Sequence, residues 1–428
     1  MHSQQQLDTG NTAWMLMSSA LVMLMTPGLG FFHAGLSGKK NTTNTILMSM
    51  MSMALVTMQW VLLGYSVSFG KGGNAFLGRF HETALRNIHT NISNNYGNGI
   101  PTLTFVAYQN MFAQITPALI SGAALGRMNF RAYMLFILIW SIFIYNPIAN
   151  WVWALNQNGD PKGWLIKMGH IDFAGGDVIH IASGFSALVT SLMLGKRNEN
   201  HQPNNTLVSL GTALLWFGWF GFNAGSQLAA DGIAALAFIN THISASFGVI
   251  TWVFLDYFKT KNISALSAAF GAITGLVSIT PGCGYIDPMF SFLFGFTGSL
   301  LAWICLEISK VMQCKYDIDA FIIHGIGGMV GTILTGVFSE TKWNPNAPNG
   351  TAFGNKMQVI YQLIGVATIA SYSTIGTFII LTILRLTLKI RMSDTEKQQG
   401  ADESYHGNTH FIPNHNQNER VIQMQNLR

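Results

Sequence analysis

Two histidines stand inside long apolar segments of this 428-residue chain, His180 and His324. Ionisable side chains within a membrane are costly, so they are functional candidates by default. Two neutral imidazoles can share one hydrogen bond, which leaves one donor-capable and one acceptor-capable nitrogen for a small polar solute or a proton. The alternative is a structural histidine that bonds a backbone carbonyl between two helices. The residue types alone leave both interpretations open.

A carboxylate precedes the first of these histidines. Asp172 is followed by the glycine pair Gly175 and Gly176, at the predicted start of a helix. A carboxylate at this position can cap free N–H groups and interact favourably with the positive end of the helix dipole. Its charge can also favour a cation nearby, without direct contact.

Aromatic residues cluster at the predicted outer ends of the helices, at Tyr108, Trp151, Trp153 and Phe222. A belt of aromatic rings at the membrane interface is the commoner explanation for such a pattern. The sharper hypothesis is a cage whose ring faces attract a small cation by about 0.5–2 kcal/mol per ring. Ser226 would then add a hydroxyl acceptor.

The elements that must position these residues are membrane helices. Hydrophobic residues make up 49% of the chain and charged residues only 10%, whereas a soluble globular protein carries roughly 25% charged residues. We therefore predict an all-α polytopic membrane protein. Eleven apolar runs are long enough to span a bilayer, at 13–35, 45–69, 101–125, 132–153, 177–195, 207–226, 233–256, 263–280, 289–308, 320–338 and 358–389.

Basic residues predict the orientation of these helices, because short cytosolic connections are enriched in lysine and arginine. Alternate connections carry Lys39/Lys40, Arg127/Arg131, Lys196/Arg197, Lys259/Lys261 and Lys310/Lys315, and Lys389 and Arg391 follow the last helix. An odd number of helices then places the N-terminus outside and the C-terminus in the cytosol.

Short internal echoes predict a duplication. The segment 32–35 (FHAG) is echoed by 222–225 (FNAG), and the two histidines hold matching places in the fifth and tenth helices. This pattern predicts a five-plus-five repeat followed by a long last helix. With an odd number of helices per half, the halves insert with opposite topology, and transporter sites commonly lie at such an interface. The matching places favour a functional role for the histidines.

Several classes of protein do not fit. The net charge of +5 forms no continuous basic patch for nucleic acid. The three cysteines, Cys283, Cys305 and Cys314, match no metal motif or disulfide framework. The N-terminus has no basic region of the kind that begins a cleaved signal peptide. An enzyme would need a nucleophile, metal ligands or a second acid, so we predict neither catalysis nor a cofactor.

Five ordered segments resemble the ammonium transporter family (Amt/Mep/Rh): DFAGG at 172–176 continuing through His180, WFGWFGFNAGS at 216–226, ALAFINT at 235–241, ITPGCGY at 279–285 and HGIGG at 324–328. The resemblance implies a homotrimer of eleven-helix subunits, each with its own pore. By position, it implies an outer ammonium site at Tyr108, Trp153 and Ser226, with Asp172 near the entrance. It also implies a phenyl gate formed by Phe112 and Phe222, above the pore histidines His180 and His324.

The C-terminal segment has a different character. We predict a transmembrane domain at 1–391 and a polar cytosolic tail at 392–428. The tail sequence GADESYHG at 400–407 is similar to the regulatory segment of the family, which packs under a neighbouring subunit. Ser404 stands where some members carry a phosphorylated hydroxyl. Departures from the family pattern are His33 in place of a more usual Tyr, Gly126 before Arg127 in place of Glu, and Asn150 in place of His.

The expected function is ammonium transport in which the ion is deprotonated and ammonia crosses a hydrophobic pore, with the proton relayed or returned. The alternatives are an ammonium sensor that signals through the tail and an electroneutral ammonia gas channel. Expected partners are ammonium, ammonia and methylammonium, two further copies of the chain, the lipid bilayer and a cytosolic regulator. A plasma membrane is the expected location, with an intracellular vesicle membrane as the alternative.

Overall fold

The structure is a computed structural model that describes residues 6–90, 92, 96–97, 99–196 and 202–407. Arg197, one of the predicted cytosolic basic residues, lies outside the described residues, as does the part of the predicted tail at 408–428. The described part of the chain is helical and contains no β-strand.

Nine helices within the described residues are long and apolar enough to cross a membrane. They are α1 Thr9–Ser37, α2 Lys39–Phe69, α4 Phe130–Trp153, α5 Gly176–Leu194, α6 Asn205–Gly225, α7 Gly232–Thr260, α9 Pro288–Val311, α10 Phe321–Phe338 and α11 Gln358–Thr387. Two further helices, α3 Thr102–Leu119 and α8 Ala265–Ile279, occupy the remaining two predicted positions. The count of eleven spans and the orientation of the termini stay predictions.

Polar residues in the connections begin these helices. The first N–H groups of a helix have no partner within the helix, and short polar side chains just before the helix accept from them. Asp8 accepts from Asn11 N at the start of α1, and Asn204 and Asp231 do the same for α6 and α7. Local sequence therefore explains where the helices start.

Large apolar side chains cover the outside of the bundle. Phe217, Ile250, Phe254 and Ile383 each expose more than half of their surface. A water-facing surface with many such residues would be unfavourable, whereas lipid accepts them. The chain is therefore a multi-pass membrane protein.

Helices α5 and α10 pack with their backbones in contact. A Cβ atom on Gly184 of α5 would lie 2.3 Å from the backbone nitrogen of Gly325 of α10, and one on Gly328 would lie 3.2 Å from His180 Cβ. Small residues allow such close approach of helices in membranes. This contact brings the two histidine-bearing segments together.

Both of these helices begin with a π-helical turn, at Gly176–Ile181 in α5 and Phe321–Ile326 in α10. Such turns are rare and are found frequently at functional sites. His180 and His324 each lie inside one of them. The two histidine-bearing segments therefore share the same local backbone geometry.

The described part of the tail forms two short helices, α12 Asp394–Gln399 and α13 Ala401–His406. The carboxylate of Asp402 is buried and accepts from the backbone N–H groups of Thr43 (3.1 Å) and Asn44 (2.7 Å) at the start of the α-helical part of α2. The tail thus docks on its own subunit. Contact with a neighbouring subunit stays a prediction.

Candidate functional site

Three cavities follow one another through the bundle. The outer cavity has a volume of about 430 Å³, the middle one about 10 Å³ and the inner one about 20 Å³. The outer cavity is lined by Phe112, Trp153, Asp172 and Ser226. The middle cavity is lined by Phe222, His180 and His324. The inner cavity is lined by His324, His33, Asp317 and Asp319. His324 borders both the middle and the inner cavity.

His180 and His324 lie in direct contact. Their Nδ1 atoms are 3.2 Å apart, and the ring planes are inclined by 17°. Both side chains are buried. Since a neutral imidazole carries one N–H, a shared Nδ1–Nδ1 bond makes one ring the Nδ1–H tautomer and the other the Nε2–H tautomer. The pair therefore presents one acceptor Nε2 and one donor Nε2.

Aromatic rings hold His180 in place from α6. Its ring stacks on Trp219, with centroids 5.4 Å apart, and on Phe222, with centroids 5.9 Å apart. The indole N–H of Trp219 donates to Thr280 Oγ1 at 3.0 Å, which fixes the orientation of the indole. Sequence reasoning assigned no role to Trp219, although its position three residues before Phe222 puts both on one face of a helix.

The phenyl rings of Phe112 and Phe222 separate the outer cavity from the middle one. Their centroids are 4.4 Å apart, and both side chains are buried. Trp153 meets Phe112 edge to face, with centroids 6.1 Å apart and planes at 89°. The two phenyl rings therefore lie in contact between the two cavities.

Tyr108 is turned away from the outer cavity. It is fully buried, and its hydroxyl lies 2.8 Å from the carbonyl oxygen of Phe222 and 3.3 Å from Ser226 Oγ. Ser226 itself donates to the Phe222 carbonyl at 2.9 Å. The hydroxyl oxygen of Ser226 therefore keeps acceptor capacity towards the cavity that it lines, while Tyr108 supports Ser226 and α6 from behind.

Asp172 caps the start of α5. Its Oδ1 accepts from the N–H groups of Gly175 and Gly176 at 2.7 and 2.8 Å, and its Oδ2 accepts from those of Asp177 and Val178 at 2.9 and 3.3 Å. Four donors on one carboxylate fix the segment that leads to His180. The backbone oxygen of Asp172 accepts from the indole N–H of Trp153 at 2.8 Å, so the same residue also orients that ring.

A buried ion pair lies beside this cap and was not predicted from the sequence. His170 Nε2 lies 2.9 Å from Asp177 Oδ2, and Thr332 of α10 donates to the same oxygen at 3.2 Å. Burial by itself lowers the pKa of His170, but the adjacent Asp177 carboxylate outweighs burial and raises the pKa above its ordinary value. The two residues are seven positions apart in the sequence, and only the fold of 170–177 brings them together.

Comparison with known proteins agrees with this architecture. The family model described as Ammonium Transporter Family matches residues 13–411. This chain belongs to the ammonium transporter family. Members of this family are transporters, so this chain is a transport protein.

Individual members of the family match over most of their length. The ammonium transporter of Aquifex aeolicus is 42% identical over 410 residues, which cover 95% of this chain and 94% of that protein. The crystal structure of Candida albicans Mep2 superposes with a TM-score of 0.84 at 32% identity, covering 92% of this chain and 88% of that one. A solved sensor Amt protein superposes with a TM-score of 0.85 at 25% identity, covering 93% of this chain and 98% of that one.

Proposed function

We propose that this protein recruits ammonium at the outer cavity, removes a proton from it and conducts ammonia between His180 and His324 to the cytosolic side. The observation that carries the proposal is the imidazole pair with Nδ1 atoms 3.2 Å apart in a cavity of about 10 Å³. A cavity of this size has room for about one water-sized molecule. Apart from the two imidazoles, its lining is apolar.

The outer cavity suits a small cation. Trp153 presents an indole, and a cation over such a ring is stabilised by about 0.5–2 kcal/mol. Ser226 supplies a hydroxyl oxygen that can accept from an ammonium N–H, which potassium cannot offer. These interactions give only modest selectivity, so the main filter lies deeper. Tyr108 contributes by holding Ser226, and Asp172 by holding Trp153 and the start of α5.

Deprotonation provides that deeper filter. An ion that enters the buried lumen beyond Phe112 and Phe222 loses its hydration, at a cost of many kcal/mol. Ammonia passes as a neutral molecule, and an imidazole nitrogen can accept a hydrogen bond from it or donate one to it. Potassium has no proton to lose. The histidine pair can also relay the released proton, because each ring can gain a proton at one nitrogen and lose one at the other.

Uptake by purified protein in liposomes tests the proposal. We expect wild type to take up ammonium and methylammonium, and the His180→Ala/His324→Ala double variant to lose most of that uptake. His242→Ala is the matched control, because this histidine lies on the exposed side of α7. Equal uptake by wild type and the double variant would contradict the pore assignment. Wild-type uptake without charge movement would identify an ammonia gas channel.

The assembly and setting belong to the same proposal. We propose a homotrimer of eleven-helix subunits in the plasma membrane, with the N-terminus outside, the C-terminus in the cytosol and the two five-helix halves inserted in opposite directions. The matched π-helical turns of α5 and α10 support the repeat. Single cysteines introduced in place of Asp8 or Glu403 test the orientation when intact cells are labelled with an impermeant reagent. Only the cysteine at position 8 should react.

Ammonium sensing through the tail is a second candidate, favoured by the similarity to a sensor Amt protein and by the docked α12 and α13. Residues 392–428 would then change their contacts when the pore is occupied, and a cytosolic regulator would detect the change. Deletion of 392–428 should abolish the signal while uptake in liposomes survives. If the deletion leaves the cellular ammonium response intact, the sensing role is wrong.

A further inference from the structure

A third histidine lies on the cytosolic side of the pair. His33 is near the end of α1 and is only 3% exposed. The inner cavity is lined by His33 together with His324, and by Asp317 and Asp319 from the connection that precedes α10. The mechanism proposed above uses His324 and leaves His33 without a role.

One nitrogen of the His33 ring is held by a hydrogen bond, and the other lies beside a glycine. Nδ1 lies 2.9 Å from the hydroxyl oxygen of Ser121. Nε2 faces Gly122, where a Cβ atom would lie 2.9 Å from Nε2 and 3.2 Å from Ala320 Cβ. Ala320 lies one helical turn before His324, and His33, Ala320 and His324 all line the inner cavity. The cavity therefore lies between the two imidazoles.

The inner cavity is large enough for one small molecule. It is about 20 Å³, and a cavity needs roughly 10–15 Å³ to hold one water. A single water or ammonia there can bond to His324 on one side and to His33 on the other. From the geometry we infer that His33 is the third imidazole of the conduction path, and that it exchanges protons with His324 through one bridging molecule and releases them at the cytosolic end.

Charged groups around the inner cavity suit a transient imidazolium. Asp317 and Asp319 line the same cavity, and Arg127 makes an ion pair with Asp317 at 3.0 Å. A nearby carboxylate favours the protonated form of an imidazole. Besides His33, the titratable residues that line the cavity are His324, Asp317 and Asp319, and Arg127 lies beside it in contact with Asp317.

The proton balance is simple, and it rests on the proposed function. One ammonium loses one proton at the outer side, and ammonia and proton then travel separately. At the inner side, the Nε2–H bond of protonated His33 breaks and the proton forms an N–H bond with the lone pair of ammonia. Ammonium leaves, and His33 is neutral again. Charge therefore crosses with the solute in a fixed ratio.

The ratio of charge moved to ammonium transported tests the inference, measured as current and uptake on the same proteoliposomes. Because it is a ratio, it does not depend on how much of a variant is folded. We expect His33→Gln, which keeps the size and a hydrogen-bonding group, to lower the ratio at least about tenfold, because the group that carries the proton is lost. His33→Glu, which can bind and release a proton, should restore most of the ratio. His242→Gln is the control and should match wild type.

Three results would overturn the inference: a wild-type ratio in His33→Gln, an equal decrease in His33→Gln and His33→Glu, or no charge movement by wild type. Each of these leaves ammonium transport itself standing. Absence of ammonium and methylammonium uptake by wild type would instead contradict the proposed function.

Discussion

Neighbouring groups give each buried histidine a different task. His180 is clamped between aromatic rings and bonded to His324, so its freedom is limited to the tautomer it adopts. His33 is held by a hydroxyl that can donate or accept, so the ring can change protonation without turning. His170 faces the carboxylate of Asp177, which raises the pKa of its imidazole. In the proposed mechanism, the same residue type therefore lines the pore, relays protons and pairs with a carboxylate.

The His170–Asp177 pair predicts a pH-dependent stability. The folded-state pKa of His170 lies above its ordinary value of 6.5, so the pair contributes fully below that pH and loses its contribution as the pH rises through the folded-state pKa. Breaking a buried ion pair costs about 3–5 kcal/mol. We expect Asp177→Asn to lower the apparent melting temperature in detergent at pH 6, with a smaller difference from wild type at pH 9. Parallel curves for the two proteins across this range would contradict the prediction.

At the scale of elements, the contact between α5 and α10 determines the distance between the histidines. Gly184, Gly325 and Gly328 let the two backbones touch, and the π-helical turns set the rotation of each histidine about its helix. Larger side chains at these positions would keep the helices at the usual interaxial distance of about 8–10 Å and would change the distance between the two imidazoles. The glycines therefore help to set the geometry of the site.

Gly184→Val tests that contact. The added Cβ would lie 2.3 Å from Gly325 N, so α5 and α10 must separate, at a cost of about 1–3 kcal/mol or more. We expect a lower melting temperature and a severe loss of methylammonium uptake in liposomes. Gly232→Ala is the control, because a Cβ there meets nothing within 4 Å. If Gly184→Val transports as wild type does, the contact is not required.

Across the whole molecule, the inner cavity and the described part of the tail are linked by a few contacts. The inner cavity is bordered by the connection before α10, where Arg127 pairs with Asp317, and the carbonyl oxygen of Arg127 accepts from the backbone N–H of Met392 in the tail at 2.8 Å. Asp402 caps α2, which follows directly on the helix that carries His33. In the proposed mechanism, changes in the tail can therefore reach the inner end of the conduction path through few contacts.

Ser404→Asp tests this link. Ser404 Oγ lies 3.3 Å from the Glu396 carbonyl oxygen and from Gln399 Oε1, so a carboxylate there meets acceptors and the negative charges of Asp402 and Glu403. We expect faster hydrogen exchange in α12 and α13 and a changed uptake rate. Ser404→Ala is the control and should keep the tail docked. Unchanged exchange and uptake in Ser404→Asp would exclude a regulatory role for this position.

Local properties of the sequence were sufficient for most of the fold. Apolar runs, polar caps and glycine pairs depend on neighbouring residues, so the helical segments, the cap formed by Asp172 and the helices that carry His180 and His324 were predicted correctly from the chain alone. The family motifs added the identity of the solute, which no hydropathy pattern contains.

The tertiary structure decided how these pieces face one another. It turned Tyr108 towards the backbone of α6, paired His170 with Asp177, put Asp402 at the start of α2 and opened a cavity between His33 and His324. These contacts depend on the rotation and approach of helices that are far apart in sequence. The rotation and the approach of each helix depend on packing against all of its neighbours at once, so they cannot be predicted from one segment of sequence at a time.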